Sequence, residues 1–206
     1  MSQKTVLNSL LWLFVFAPVF QLVWYFYQLQ LAGNIFYLGP EPGKVLVHVM
    51  GQWAITFLLC VLAVQPLKRI FKLNLIKYRR RLGLSAFVYG LLHSVFYLFF
   101  LLGLEWSDFL EDLKKRPYML VGMLSIMCML PLAVTSTKGW QKRLGKKWKS
   151  LHKLVYPSAL LVVVHLWWQV KSEFGLAVLI TLLFMVILSL RIFPNLLARF
   201  QSSSNL

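Results

Sequence analysis

Along the chain, apolar runs of about twenty residues alternate with short segments that carry nearly all the charge. A helix rises ~1.5 Å per residue, so about 20 apolar residues cross a ~30 Å hydrocarbon core. Six runs reach or approach that length: Leu10–Leu31, Val45–Val64, Leu82–Leu102, Tyr118–Val134, Leu151–Val170 and Gly175–Leu190. They predict an all-α membrane protein, a six-transmembrane-helix bundle forming a single domain over residues 1–206. The hairpin between the fifth and sixth runs is tight, with Lys171, Ser172 and Glu173 as its clear loop material. No internal repeat, low-complexity tract or appended soluble domain stands out. Only Lys4 precedes the first run, which is too long for a signal-peptide core and lacks a small-x-small cleavage site. It reads as a retained span.

Charge orients the bundle. The segment 65–81 holds Lys68, Arg69, Lys72, Lys77, Arg79, Arg80 and Arg81 and no acid. The segment 135–153 holds Lys138, Lys142, Arg143, Lys146, Lys147, Lys149 and Lys153, again with no acid. With Lys4, Arg191 and Arg199, 17 of the 22 basic residues fall on one side. The opposite side has Lys44, Lys114, Lys115, Arg116 and Lys171 and all six acids: Glu41, Glu105, Asp108, Glu111, Asp112 and Glu173. The positive-inside rule places both termini and both basic loops in the cytoplasm of a bacterial inner membrane.

Composition agrees: 59% of residues are hydrophobic, yet the formal net charge is +16. A basic chain invites a nucleic-acid reading, but here the cations are split among loops that flank apolar runs. The basic rim suits anionic headgroups and offers a face for a soluble partner. Cys60 and Cys128 each lie inside an apolar run and read as small buried hydrophobes.

Against this apolar background four histidines, His48, His93, His152 and His165, are the candidate chemistry, because a titratable group inside a membrane is costly and tends to be functional. His93 lies roughly 17 Å from the cytoplasmic end of its run and His165 roughly 21 Å from the end of its own, at 1.5 Å per residue. The two runs are parallel, so their imidazoles stand within about one turn of each other in depth. Two imidazoles at one level on facing helices meet the requirement for bis-axial ligation of a b-type haem. His48 enters the second run about 5 Å below the outer surface and is a third candidate near that level. His152 sits at the cytoplasmic edge of the fifth run. Gly83, Ala86, Gly90 and His93 form one stripe, which suits either a flat macrocycle or close helix packing. Without a ligand, each histidine could instead hydrogen-bond a neighbouring helix or join a proton relay. No CxxCH occurs, which excludes covalent c-type haem, and no GxGxxG follows a strand, so electrons must arrive from elsewhere.

Local strings add a resemblance. Arg79-Arg80-Arg81-Leu82-Gly83-Leu84 followed by His93 and Tyr97, and Arg116-Pro117-Tyr118, are similar to the MsrQ (YedZ) family of ferric-reductase-like transmembrane haem proteins. Thr135-Ser136-Thr137, Arg143-Leu144-Gly145-Lys146-Lys147-Trp148, Leu151-His152 and Tyr156 resemble it more closely. The resemblance implies a haem-binding membrane subunit of the periplasmic methionine sulfoxide reductase system. Its donor would be the quinone pool or a cytosolic flavin reductase, and its acceptor a periplasmic molybdenum-containing (molybdopterin) catalytic subunit. An FMN site is also attributed to the family. By position, His93, His152 and His165 match the family's haem-associated histidines, and His48 a further one.

Two-haem members of the superfamily carry two histidines on each of two helices. His152 and His165, thirteen apart, resemble one such pair, whereas the third run offers Arg79 and Arg80 where an inner histidine would stand. Thirteen residues turn a straight helix by about 220°, so that pair shares a face only if Pro157 bends the helix. The expected site is therefore haem b held by His93 and His165, with His152 as a candidate ligand of a second haem. Arg79–Arg81 and the lysines of 142–153 are candidates for haem propionate, flavin phosphate or quinone. The rival readings are a stand-alone quinol- or metal-reducing cytochrome b and a small proton-coupled transporter. The absence of any intramembrane acid counts against the transporter.

Overall fold

A computed structural model describes residues 3–34, 37–170 and 174–192. The hairpin expected at Lys171, Ser172 and Glu173, and the tail carrying Arg199, lie outside the described residues. Nine α-helices are found among those described: α1 Gln3–Phe26, α2 Pro42–Phe71, α3 Arg79–Phe96, α4 Trp106–Lys115, α5 Pro117–Val134, α6 Lys138–Leu144, α7 Lys146–Leu151, α8 Val155–Gln169 and α9 Phe174–Ile192. Six helical stretches are long and apolar enough to cross a membrane: Thr5–Leu31, Pro42–Phe71, Ile76–Leu101, Pro117–Val134, Lys146–Gln169 and Phe174–Arg191. The six expected spans are all present, most of them extended at their ends.

Prolines set several of those ends. Pro42 and Pro117 open α2 and α5, where a missing N–H costs nothing. Inside α2, Pro66 cannot donate to the carbonyl of Leu62, one turn back. The Arg191 guanidinium of α9 donates to that oxygen at 3.3 Å, tying the last span to the second. The fifth span is not one straight helix. It passes from α7 through a 3-10 turn at His152–Leu154 into α8, whose third residue is Pro157. His152 and His165 therefore do not lie on one straight helix.

The core gathers around α2. Met50, Phe57, Leu58 and Leu62 are almost wholly buried, and Phe57 stacks on Tyr89 of α3 with ring centres 5.3 Å apart. The closest helix pairs are α2 with α3 and α5 with α8, two antiparallel hairpins that each turn at a basic loop. Ser125 and Ser158 bridge α5 and α8, their hydroxyls 3.0 Å apart in a fully buried seam. The outer helix α1 presents Leu10, Phe20 and Phe26 outward, and α9 presents Leu182 and Met185, as lipid-facing helices do.

Between the third and fourth spans lies a further helix that the apolar runs do not predict. There α4 is strongly amphipathic, with Trp106, Phe109 and Leu110 set against Asp108, Glu111 and Asp112. Asp112 anchors it: the carboxylate accepts from the Tyr97 hydroxyl and pairs with the Arg116 guanidinium at 3.1 Å.

Candidate functional site

His93 on α3 and His165 on α8 face each other, with ring centres 6.2 Å apart and planes at 88°. Each is held in the same way. His93 Nδ1 lies 2.8 Å from the carbonyl oxygen of Val47 on α2, and His165 Nδ1 lies 2.7 Å from that of Tyr118 on α5. A carbonyl only accepts, so each Nδ1 carries the proton and each Nε2 keeps its lone pair.

What lets the rings reach those carbonyls is a glycine one turn further along each partner helix. A Cβ at Gly51 would stand 2.9 Å from His93 Nδ1, and one at Gly122 would stand 2.8 Å from His165 Nδ1. Any larger residue would displace the imidazole. The device is used twice with near-constant spacing: 71 residues separate Val47 from Tyr118 and Gly51 from Gly122, and 72 separate His93 from His165. The two hairpins thus form a structural repeat that inspection of the sequence did not reveal.

A metal–imidazole bond of about 2 Å, with the ring nitrogen roughly 1.1 Å from the ring centre, puts two rings across one metal about 6.2 Å apart. The observed separation matches. No cluster of three or more histidine, cysteine or acidic side chains able to hold a metal occurs among the described residues. A bare ion bound through four protein ligands is therefore not what these residues offer. Two axial nitrogens suit an iron whose other four donors come from a macrocycle, so the donor set fits haem b. The hydrogen bond at each Nδ1 fixes tautomer and ring orientation, the usual supporting role behind a ligating histidine.

The other expected residues lie apart from this pair. His48, exposed on α2, accepts a 2.7 Å hydrogen bond at Nε2 from the Gln169 amide of α8. That nitrogen is engaged at the outer rim of the bundle. His152 stands at the basic end, stacked on Trp148 with ring centres 3.9 Å apart, its Nδ1 donating to the Trp148 carbonyl at 3.1 Å. Arg79, half-buried in the first turn of α3, belongs to the same basic end. The repeat offset of 72 puts Arg80 where the counterpart of His152 would be, and Arg80 is exposed. The stripe of Gly83, Ala86 and Gly90 packs against helices: Gly83 approaches Val61, and Gly90 approaches Ile126 and Ala54. Its small residues serve helix packing.

The strings that carried the resemblance acquire local roles. Tyr118 supplies the carbonyl for His165. Thr137 caps α6, and Gly145, at φ 53°, makes the turn between α6 and α7. The Trp148 indole donates to the Thr135 carbonyl at 2.9 Å and so holds the ring beneath His152.

A six-span bundle with two imidazoles opposed at one level is an architecture expected of membrane cytochromes, and residues 50–163 match the family described as "Ferric reductase like transmembrane component". The heme-binding subunit MsrQ of protein-methionine-sulfoxide reductase from Xanthomonas euvesicatoria pv. vesicatoria is 40% identical over 184 residues, 89% of this chain and 84% of the relative. The MsrQ of Xanthomonas oryzae pv. oryzae is equally similar, and that of Xanthomonas campestris pv. campestris is 40% identical over 186 residues, 90% of this chain and 85% of its own length. The chain belongs to the MsrQ family, within the ferric-reductase-like transmembrane proteins, and is a multi-pass membrane protein consistent with a bacterial inner membrane.

Proposed function

We propose that this chain is the haem b electron-transfer subunit of a methionine sulfoxide reductase system, a single membrane domain with both termini in the cytoplasm. One observation carries the reading: the 6.2 Å separation of two imidazoles that both keep Nε2 lone pairs. The printed name of the relatives, a heme-binding subunit, supports it. When bound, haem supplies a one-electron carrier inside the bilayer. His93 and His165 would hold it through their unprotonated Nε2 atoms, while Val47 and Tyr118 keep both rings in place. The surrounding apolar helices keep water away, which tunes the potential of such a centre.

The direction of transfer follows from the charge asymmetry and the resemblance. Electrons enter at the basic side, from the quinone pool or a cytosolic flavin reductase, and leave outward to a periplasmic molybdenum-containing subunit. That partner reduces methionine sulfoxide in oxidised proteins. Arg79, at the same basic end as His152, would meet a donor, an FMN phosphate or a quinone oxygen there. A second haem at His152 would need an axial partner other than histidine, since His48, His93 and His165 all lie towards the outer face.

The test is haem quantified against protein, with absorption spectra of the purified chain before and after dithionite. Wild type should show a b-type spectrum, and His93→Ala and His165→Ala should each lose it. Unchanged haem content in both variants would overturn the assignment.

A further inference from the structure

A cleft of about 350 Å³ opens between the start of α1 and the entry to α3, lined by Thr5, Asn8, Lys77, Tyr78 and Arg81. Tyr78 is 4% exposed, and its hydroxyl is buried without a hydrogen-bond partner among the described residues. The Lys77 ammonium lies 4.6 Å from the centre of its ring. The Arg81 guanidinium donates to Asn8 Oδ1 and lies 5.0 Å from the ring centre of Trp12.

The lining is rich in donors and poor in acceptors. Lys77 and Arg81 bring positive N–H groups, and Asn8, its oxygen already engaged, has its amide N–H groups left to give. The Thr5 hydroxyl adds to them. Among the described residues the acids, Glu41, Glu105, Asp108, Glu111 and Asp112, all lie in segments at the opposite end of the spans, and none of them lines the cleft to balance the two cations. A group with several anionic oxygens and no protons of its own completes such a set, and a phosphate is that group.

Position selects the source. The cleft lies where the apolar runs of α1 and α3 begin, at headgroup depth, and the exposed apolar residues Leu7, Leu10 and Trp12 continue from it along α1. Basic clefts between spanning helices at this depth suit anionic headgroups. We propose that this cleft is a binding site for the phosphate of an anionic glycerophospholipid, its acyl chains lying along α1. Such a lipid would fasten α1 to the α2–α3 hairpin at the end where Lys77 and Arg81 stand together.

The experiment is native mass spectrometry of the delipidated full chain in detergent, titrated separately with phosphatidylglycerol, phosphatidylcholine and FMN. Wild type should retain phosphatidylglycerol over phosphatidylcholine. Lys77→Gln should weaken that binding several-fold, and Lys77→Gln/Arg81→Gln by about 10- to 30-fold. Lys146→Gln/Lys147→Gln, in the other basic loop, should leave it within about twofold, which separates a site from a generally basic rim. The Soret band of the Lys77→Gln variant reports that the bundle is intact. Equal losses in the two loops, or no loss in Lys77→Gln and the double variant, would overturn the proposal. So would loss of FMN binding from the same substitutions with phosphatidylglycerol binding unchanged.

Discussion

Replacing Gly51 or Gly122 with alanine adds a single methyl group at the back of one imidazole. At Gly51 it arrives 2.9 Å from His93 Nδ1 and 3.2 Å from Cε1; at Gly122 it arrives 2.8 Å from His165 Nδ1 and 3.0 Å from Cε1. Comfortable contacts begin near 3.5 Å, so the overlap is about half an ångström against rigid ring atoms. The ring or the helix has to move, at a cost of about 1–3 kcal/mol for overpacking. Movement also breaks the Nδ1–H bond to Val47 or Tyr118, and loss of such outer support costs about 10–100-fold in metal affinity. Each variant should therefore bind haem about 10–100-fold more weakly, read by haemin titration of the detergent-solubilised apoprotein at the Soret band. Gly83→Ala and Gly90→Ala are the controls. Their added methyls would meet nothing closer than 3.8 Å and 3.9 Å, so affinity should stay within about threefold of wild type. Wild-type affinity in both Gly51→Ala and Gly122→Ala, with a large loss in Gly90→Ala, would refute the reasoning.

Other consequences can be checked on the same protein. Ser158→Ala removes half of the buried pair between α5 and α8 and should cost about 1–2 kcal/mol in thermal denaturation, while Ser125→Ala/Ser158→Ala should cost little more. Arg191→Met leaves the Leu62 carbonyl without its donor and should destabilise by about 1–3 kcal/mol; in a Pro66→Ala background, where the helix supplies its own N–H, the penalty should shrink. Asp112→Asn loosens the link from α4 to Tyr97 and Arg116, so trypsin should cut after Lys114 and Lys115 several-fold faster in limited proteolysis.

The spans were legible because membrane thickness imposes a length on apolar runs and because cations collect at one end of them. The depth match of His93 and His165 was legible for the same reason: rise per residue converts position into height. Rotation is harder to read than height. Whether Gly83 and Gly90 or Gly51 and Gly122 stand behind the imidazoles depends on which helices pack together, and sequence spacing within one helix carries no such information. The usable signal was Gly51 in α2 and Gly122 in α5, each four residues after the carbonyl that a histidine reaches. Helix α4 announced itself by Trp106, Phe109 and Leu110 alternating with acids, a pattern hidden by attention to twenty-residue runs. The break at His152–Leu154 follows from Pro157, whose missing N–H sits harmlessly in the first turn of a new helix.

The repeat also gives an account of why the two ends of the bundle differ. Towards the end away from the basic loops both hairpins contribute one imidazole, one glycine and one carbonyl. At the basic end only His152 appears, and its counterpart Arg80 is a permanent cation that cannot ligate iron. The architecture is thus paired at one end of the bundle and asymmetric at the basic end.

Low-temperature electron paramagnetic resonance of the ferric, haem-loaded protein tests the central claim most directly, because it reports both the ligands and their relative orientation. Two neutral imidazoles with planes at 88° predict a low-spin signal with a single large g value, the signature of near-perpendicular axial rings, lost in His93→Ala and in His165→Ala. A high-spin signal in wild type, or the same low-spin signal persisting in both variants, would contradict it.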